Sequence, residues 1–154
     1  MTDIKDIWGT ARPYAASFVI LRRGDSVAFV LRKNTDWMDG HYGLPAGKLE
    51  RNESFMVGAL REAKEEVGVV IEEADLRHAL TVHRKADDDD MDWIDMYFEA
   101  SKWQGEPHNA EPDVHSELAW LDINNLPKNM VPPVRSALQQ IANGQTYAEY
   151  GWDT

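Results

Sequence analysis

The segment Gly47–Val69 reads GKLERNESFMVGALREAKEEVGV, and the interpretation of the whole chain starts from it. Its middle predicts a helix from about Glu53 to Val67. Asn52 is placed to cap the first turn, and Gly68 to end the helix in a left-handed conformation. Such a helix is amphipathic in an unusual way, because acidic residues crowd one side of its last turns.

Three carboxylates share that side. Each residue advances about 100° around a helix axis, so Glu62, Glu65 and Glu66 lie on one narrow face. Gly58 lies on the same face one turn earlier and is expected to leave space beside them. Like charges three and four residues apart repel each other. A separate stripe is apolar and is predicted to pack on a sheet, through Met56, Ala59, Leu60, Ala63 and Val67.

The crowded carboxylates suit a divalent cation. Carboxylate oxygens on a rigid helix are the donors that Mg²⁺ and Mn²⁺ prefer, and a bound ion would offset the repulsion. The spacing is also typical of an ordinary solvated helix face. The spacing alone therefore does not establish a metal site.

The surrounding segments predict strands and one more helix. Tyr14–Arg22 and Ser26–Arg32 are expected to pair as a hairpin. Trp93–Ala100 (WIDMYFEA) alternates along its whole length. The remaining predicted elements are strands at His78–Lys85 and Leu118–Leu121, a helix at Pro133–Ala142, a loop at Asn34–Gly47 and a solvated turn at Asp87–Asp90. Helices packed against a mixed sheet give an α/β (α+β) sandwich, which we expect to be one domain over residues 1–154.

The composition limits the function. Apolar residues make up 43% of the 154 residues and charged residues 28%, as is ordinary for a globular protein. No apolar run is long enough to span a membrane, and the first residues lack a signal-peptide pattern. The absence of cysteine excludes disulfides and thiolate zinc sites and agrees with a cytoplasmic protein. A net charge of -11 disfavours nucleic acid polymers but not a small phosphorylated ligand bound with cations.

The acidic segment closely resembles a known signature. Gly47, Glu53 and Arg61–Val69 match every fixed position of the Nudix box, G-x5-E-x7-R-E-U-x-E-E-x-G-U, although Ala63 is small for a U position. The resemblance implies a Nudix fold, in which a mixed sheet is sandwiched between helices. It also implies a divalent-metal-dependent hydrolase that cleaves a nucleoside diphosphate linked to another group, X.

Two shorter segments extend the resemblance. Leu44–Lys48 (LPAGK) is similar to the L-P-G-G-K that precedes the box in the family, and Trp103–Pro107 (WQGEP) is similar to a segment of MutT-type members. Ala46 replaces a glycine whose carbonyl oxygen often reaches the metal. The resemblance therefore implies that the carbonyl of Ala46 is a metal ligand.

The resemblance also implies roles for the charged residues of the box. Glu62, Glu65 and Glu66 are expected to be metal ligands, and one of them handles the proton of the attacking water. Arg61 is expected to orient a carboxylate, and Glu53 to hold either Arg61 or the preceding loop.

Members of the family often recruit one further acid from a distant loop. Two residues are candidates for this metal ligand. We expect Glu117, because it leads into a strand, and keep Glu111 as the alternative. For both residues, ordinary surface charge is the competing interpretation.

The candidate substrate contacts rest on weaker patterns. Trp93 and Tyr97 lie on one face of a strand and could stack on a base, although packing is the usual role of such residues. Arg32 could contact phosphates, and Asn129 lies where MutT-type proteins carry an asparagine that reads the base. The five histidines show no zinc spacing and are expected on the surface or in loops.

These patterns lead to one interpretation and two alternatives. The first is a Mg²⁺-dependent pyrophosphohydrolase that acts on a nucleoside triphosphate, with Mn²⁺ as a substitute metal. Its substrates would include oxidised nucleotides such as 8-oxo-dGTP. The second is a hydrolase of a nucleoside diphosphate sugar or a dinucleotide. The third belongs to another class: a domain that senses a nucleotide without cleaving it. We expect a monomer or homodimer.

Overall fold

The computed structural model describes residues 9, 11–86 and 91–152. This part of the chain contains one eight-stranded sheet in the order β3-β2-β1-β6-β5-β8, with β4 paired to β1 and β7 paired to β2. The strands are β1 (Tyr14–Arg23), β2 (Ser26–Arg32), β3 (Tyr42–Gly43), β4 (Ala46–Lys48), β5 (Arg77–Lys85), β6 (Asp92–Ala100), β7 (His115–Asp122) and β8 (Tyr147–Tyr150). The helices are α1 (Phe55–Val67) and α2 (Pro132–Ala142), with a short 3-10 helix at Glu73–Asp75.

Strand β1 organises the sheet. It runs parallel to β6, from the pair Tyr14–Trp93 to the pair Leu21–Ala100. On its other edge, the end of β1 forms the predicted hairpin with β2, while its first half pairs with the short strand β4. Strand β4 directly precedes the loop into α1, so the sheet itself carries residues next to the acidic helix.

The two helices cover opposite faces of the sheet, which confirms the predicted sandwich. The strict alternation of β6 sends Phe98 and Ala100 to the α1 side and Tyr97 to the α2 side. On the α1 side, the helix buries Ala59, Ala63 and Val67 against strand residues that include Val19, Leu21, Ala28 and Val30. On the α2 side, Val134 and Ala137 pack against residues that include Ile20, Phe29, Leu80 and Val82.

The start of α1 differs from the prediction. The helix begins at Phe55, and its cap is Ser54, whose Oγ accepts a hydrogen bond from the Val57 N–H at 3.2 Å. Asn52 instead adopts a left-handed conformation with φ of 63° in the preceding turn. The predicted end is confirmed, since Gly68 has φ of 72° and its N–H bonds to the Lys64 carbonyl.

Three segments were not predicted as strands. Strands β3 and β4 lie inside the segment expected to be a loop, where each is too short to show a period in sequence. The aromatic tail forms β8, which pairs in parallel with β5. Asp87–Asp90, expected to be a solvated turn, lies outside the described residues.

Candidate active site

Arg61 is the centre of the acidic face. Its Nε and Nη2 donate to the two carboxylate oxygens of Glu53 at 2.7 and 2.9 Å. Its Nη1 donates to Glu62 at 2.9 Å and to Glu65 at 3.1 Å. Glu53 also accepts from the Glu50 N–H at 3.0 Å, so it holds both Arg61 and the loop. The two hydrogen bonds from Arg61 lower the pKa of Glu53 to about 2.

Two of the three clustered glutamates are buried. Glu62 and Glu66 are each 8% exposed, whereas Glu65 faces solvent. Burial raises the pKa of Glu62 to about 7, against the opposing effect of Arg61. Burial, followed by the charge of Glu62, raises the pKa of Glu66 well above its ordinary value. The acidic face is therefore not a simple solvated surface.

Strand β4 supports both buried carboxylates. The Ala46 N–H donates to Glu66 Oε2 at 2.5 Å. A Cβ placed on Gly47 would lie 2.0 Å from Glu62 Oε1, so only glycine lets that carboxylate approach. Ala46 is not among the described non-glycine residues with positive φ, so alanine replaces the family's glycine there without strain.

Gly58 has a different role from the one predicted. A Cβ there would lie 2.6 Å from Leu49 Cδ2 and 3.1 Å from Glu53 Oε1. The glycine therefore lets the preceding loop pack against the helix, and the expected space beside the carboxylates is filled by that loop.

The structure brings Glu111, and not Glu117, to the carboxylates. The charge of Glu111 contributes to the raised pKa of both Glu62 and Glu66, and its own pKa is raised by burial and by Glu65. Glu117 is exposed on β7 and accepts a hydrogen bond from the Tyr42 hydroxyl. The preference for Glu117 rested on the strand that it leads into, whereas the charge near the carboxylates comes from the loop that bonds to the end of α1 through the Ala110 N–H and the Glu66 carbonyl.

The chemical type of the candidate ligands suits a divalent ion. The four candidates offer only hard oxygen atoms: Glu62, Glu65, Glu66 and Glu111. Each of them either shifts the pKa of another or has its own pKa shifted by another, so they lie in one electrostatic cluster. Among the described residues, no three His, Asp or Glu side chains converge closely enough to hold one ion. Arg61 bridges Glu62 and Glu65, and the Ala46 N–H holds Glu66. Ligation would require these carboxylates to exchange such partners for the ion.

His115 was missed by the sequence analysis. It is 3% exposed, and its Nε2 lies 3.7 Å from Glu66 Oε1. Burial, together with the nearby charge of Arg32, lowers the pKa of His115 to about 4, so the imidazole is neutral at physiological pH. The expectation of a surface position was wrong for this histidine, because nothing in its local spacing marks the β7 start as buried.

A cleft of about 480 Å³ adjoins strand β4. Arg32 lies in it, donates to the Trp37 carbonyl at 2.9 Å and stacks over the Trp37 ring at 4.9 Å. The described residues that line the cleft are Ala16, Phe18, Arg32, Thr35, Trp37, Gly43, Leu44, Ala46, Gly47, Lys48, Arg84, Ala86, Trp93, Val131 and Val134. The strand that holds the carboxylates thus also forms part of the cleft wall.

The other predicted substrate contacts differ in accessibility. Trp93 lines the cleft as expected. Tyr97 does not, because it is 1% exposed in the core on the α2 side and stacks on Phe18. Asn129 is exposed and donates to the Gly40 carbonyl at 3.0 Å, but it is not one of the cleft-lining residues. Of the aromatic strand face, only Trp93 is available to a ligand in the cleft.

Comparison with known proteins identifies the family. Residues 11–141 match the family model described as NUDIX domain. A Bacillus subtilis (strain 168) protein named "Uncharacterized Nudix hydrolase YvcI" is 28% identical over 130 residues, which cover 82% of this chain and 77% of that protein. The chain therefore belongs to the Nudix family.

Solved structures agree with this assignment. The MutT NUDIX hydrolase from Burkholderia pseudomallei is 27% identical, with a TM-score of 0.76, covering 84% of this chain and 98% of that one. A MutT protein from Methanosarcina mazei Go1 has a TM-score of 0.72 at 18% identity, covering 87% and 96%, and supports the fold alone.

Membership fixes the general chemistry. The chain is a Nudix hydrolase that acts on phosphoric anhydride bonds, with pyrophosphohydrolase activity on a nucleoside diphosphate-linked substrate. The family generally uses divalent metal ions. No helix among the described residues is long and apolar enough to cross a membrane.

Proposed function

We propose that this protein, as one domain over residues 1–154, is a Mg²⁺-dependent pyrophosphohydrolase of nucleoside triphosphates. The products are a nucleoside monophosphate and pyrophosphate, Mn²⁺ substitutes for Mg²⁺, and oxidised nucleotides such as 8-oxo-dGTP are among the substrates. The observation that carries the proposal is the double role of β4. Ala46 and Gly47 contact the buried carboxylates of Glu66 and Glu62, and both also line the cleft.

Glu62, Glu65, Glu66 and Glu111 are the residues that would hold the divalent ion, with the carbonyl of Ala46 as a further candidate. When bound, the ion supplies charge neutralisation at the phosphate oxygens and lowers the pKa of a coordinated water. One of these glutamates would also accept the proton of the attacking water.

The remaining charged residues position these groups. Arg61 fixes the carboxylates of Glu62 and Glu65, and Glu53 in turn fixes Arg61 through two hydrogen bonds. Arg61 and Glu53 are therefore positioning residues. The stacking of Arg32 on the exposed Trp37 at the cleft supports a role for Arg32 in binding a phosphate and for the free face of the indole in stacking on a base.

The test is product analysis over a panel with Mg²⁺. The panel contains nucleoside triphosphates, 8-oxo-dGTP, ADP-ribose, a nucleoside diphosphate sugar and a dinucleotide. The proposal expects the highest kcat/KM for a triphosphate, with monophosphate and pyrophosphate formed in equal amounts. Glu66→Gln is the inactive control that excludes a contaminating phosphatase.

Two results would overturn the proposal. Inert triphosphates together with a cleaved ADP-ribose, sugar nucleotide or dinucleotide would transfer the assignment to the second class of substrate. Nucleotide binding without any turnover would indicate a sensing domain.

A further inference from the structure

Two positive side chains converge on one indole ring in the cleft. The Arg84 guanidinium carbon lies 4.9 Å from the centre of the Trp93 ring, and Lys48 Nζ lies 5.4 Å from the same centre. Lys48 Nζ also lies 5.0 Å from the Tyr14 ring. The negative face of the indole attracts both cations, Asp95 already offsets the charge of Arg84, and an anion bound between the two would offset that of Lys48.

The charged side chains that line the rest of the cleft are also basic. Arg32, Lys48 and Arg84 line the cleft, and none of its described lining residues is an aspartate or glutamate. The chain as a whole has 27 acidic and 16 basic side chains. Although Asp95 lies behind the lining and offsets one of these three charges, a lining whose charged side chains are all basic favours an anionic ligand in so acidic a protein.

Arg84 is held in place by a buried acid. Asp95 is 1% exposed and receives hydrogen bonds from Arg84 Nε at 2.5 Å and from Nη2 at 3.2 Å. Burying such a pair costs desolvation energy, and an apolar pair of similar size is often as stable. Asp95 thus contacts two of the three guanidinium nitrogens of Arg84. The ion pair therefore fixes the guanidinium at the Trp93 ring in the cleft, although packing alone does not require this desolvation cost.

The sheet order separates this cluster from the other end of the cleft. Arg84 lies on β5 and Trp93 on β6, whereas Arg32 ends β2 on the far side of β1. Strand β4 pairs with β1 between them. The cleft therefore has one end with the exposed Trp37 and one end with Lys48 and Arg84, and between them β4 presents Ala46 and Gly47, which contact the carboxylates of α1.

We propose that Lys48, Arg84 and Trp93 form a subsite for the terminal phosphate of a nucleoside triphosphate, which is group X of that substrate and leaves together with the β-phosphate. The proposal rests on the proposed function and deepens it, because it assigns an anionic X. A triphosphate, whose X carries phosphate, gains from this subsite, whereas a neutral sugar does not. Charge at X then determines which nucleoside diphosphate derivatives the enzyme prefers.

The kinetic test compares a substrate whose group X is anionic, a nucleoside triphosphate, with one whose group X is neutral, ADP-ribose. We would measure kcat and KM for a nucleoside triphosphate and for ADP-ribose with wild type, Lys48→Gln and the double variant Arg84→Met with Asp95→Asn. The double variant avoids leaving a buried, unpaired carboxylate. We expect KM for the triphosphate to rise on the order of ten-fold in each variant, and KM for ADP-ribose to change less than about two-fold. Lys102→Gln, an exposed lysine beyond the opposite end of β6, is the matched control for loss of one positive charge.

A binding measurement separates this inference from the proposed function. Titration calorimetry with pyrophosphate and metal-free protein should show binding to wild type and to Lys102→Gln, and its loss in the two subsite variants. That pattern would support the subsite even if no triphosphate were hydrolysed. Equal binding of pyrophosphate by all four proteins, or equal KM changes for both substrates, would overturn it.

Discussion

Helix α1 has two buried faces with opposite energetic effects. Ala59, Ala63 and Val67 are fully buried against the sheet, and removing their surface from water stabilises the fold. Glu62 and Glu66 are almost as buried, but their raised pKa values show that burial disfavours their charged forms. Burial alone therefore does not distinguish a structural residue from a functional one. The chemistry of what is buried does, and variants of the two faces should separate activity from stability.

Removal of divalent metal should have the largest effect on activity. The buried carboxylate face has no other means of binding an anionic substrate, so excess chelator should abolish turnover and added Mg²⁺ or Mn²⁺ should restore it. Circular dichroism should remain unchanged, since the apolar face holds the helix. Full activity in chelator would contradict the assignment of the carboxylate face.

Glu66→Gln should reduce kcat by a factor on the order of 10² or more. The amide keeps an oxygen that can accept the Ala46 N–H, so thermal unfolding of the metal-free protein should not show a loss of stability. Glu72→Gln, an exposed glutamate beyond the helix, is the control and should retain activity. An unchanged rate, or an unfolded Glu66→Gln protein, would mean that the two faces are wrongly divided.

Leu60→Ala should do the opposite. Leu60 packs, half-buried, against the core on the α1 side, so its truncation should lower the free energy of unfolding by roughly 2 kcal/mol. The kcat of the folded fraction should be unchanged. Val57→Ala, an exposed position of the same helix, should cost less than about 0.5 kcal/mol in urea unfolding. Equal losses at both positions would show that the apolar face contributes little.

The last expected effect is a pH dependence of stability in the metal-free protein. The pKa of Glu62 is about 7 in the folded protein and lies near its ordinary value in the unfolded chain. Folded protein therefore binds more protons between about pH 4.5 and 7, and Glu62 lowers the free energy of unfolding as pH rises through this window. Relative to wild type, Glu62→Gln without metal should gain stability of roughly 3 kcal/mol between pH 4.5 and 8.

Urea unfolding at several pH values measures this difference. The exposed Glu72→Gln variant should run parallel to wild type over the whole range. A stability difference between Glu62→Gln and wild type that stays constant with pH would show that Glu62 is not perturbed by burial.

Local patterns determined much of this protein. The apolar stripe of α1, the end of the helix at Gly68 and the alternation of β6 follow from helix and strand periods, which a single segment contains in full. The box residues Arg61, Glu62, Glu65 and Glu66 have fixed helical spacing, so their common face was predictable, and the complete signature indicated the family.

Only the tertiary structure decided which side chains meet. Whether Glu111 or Glu117 approaches the carboxylates depends on a loop that folds over the end of α1 from far along the chain. Tyr97 and Trp93 share a strand face, yet the core on the α2 side covers one and the cleft exposes the other. The burial of His115 and the ion pair between Arg84 on β5 and Asp95 on β6 likewise depend on how separate segments pack together. Such contacts depend on packing between distant segments. The periodicity of a single segment does not specify which distant segment it will pack against.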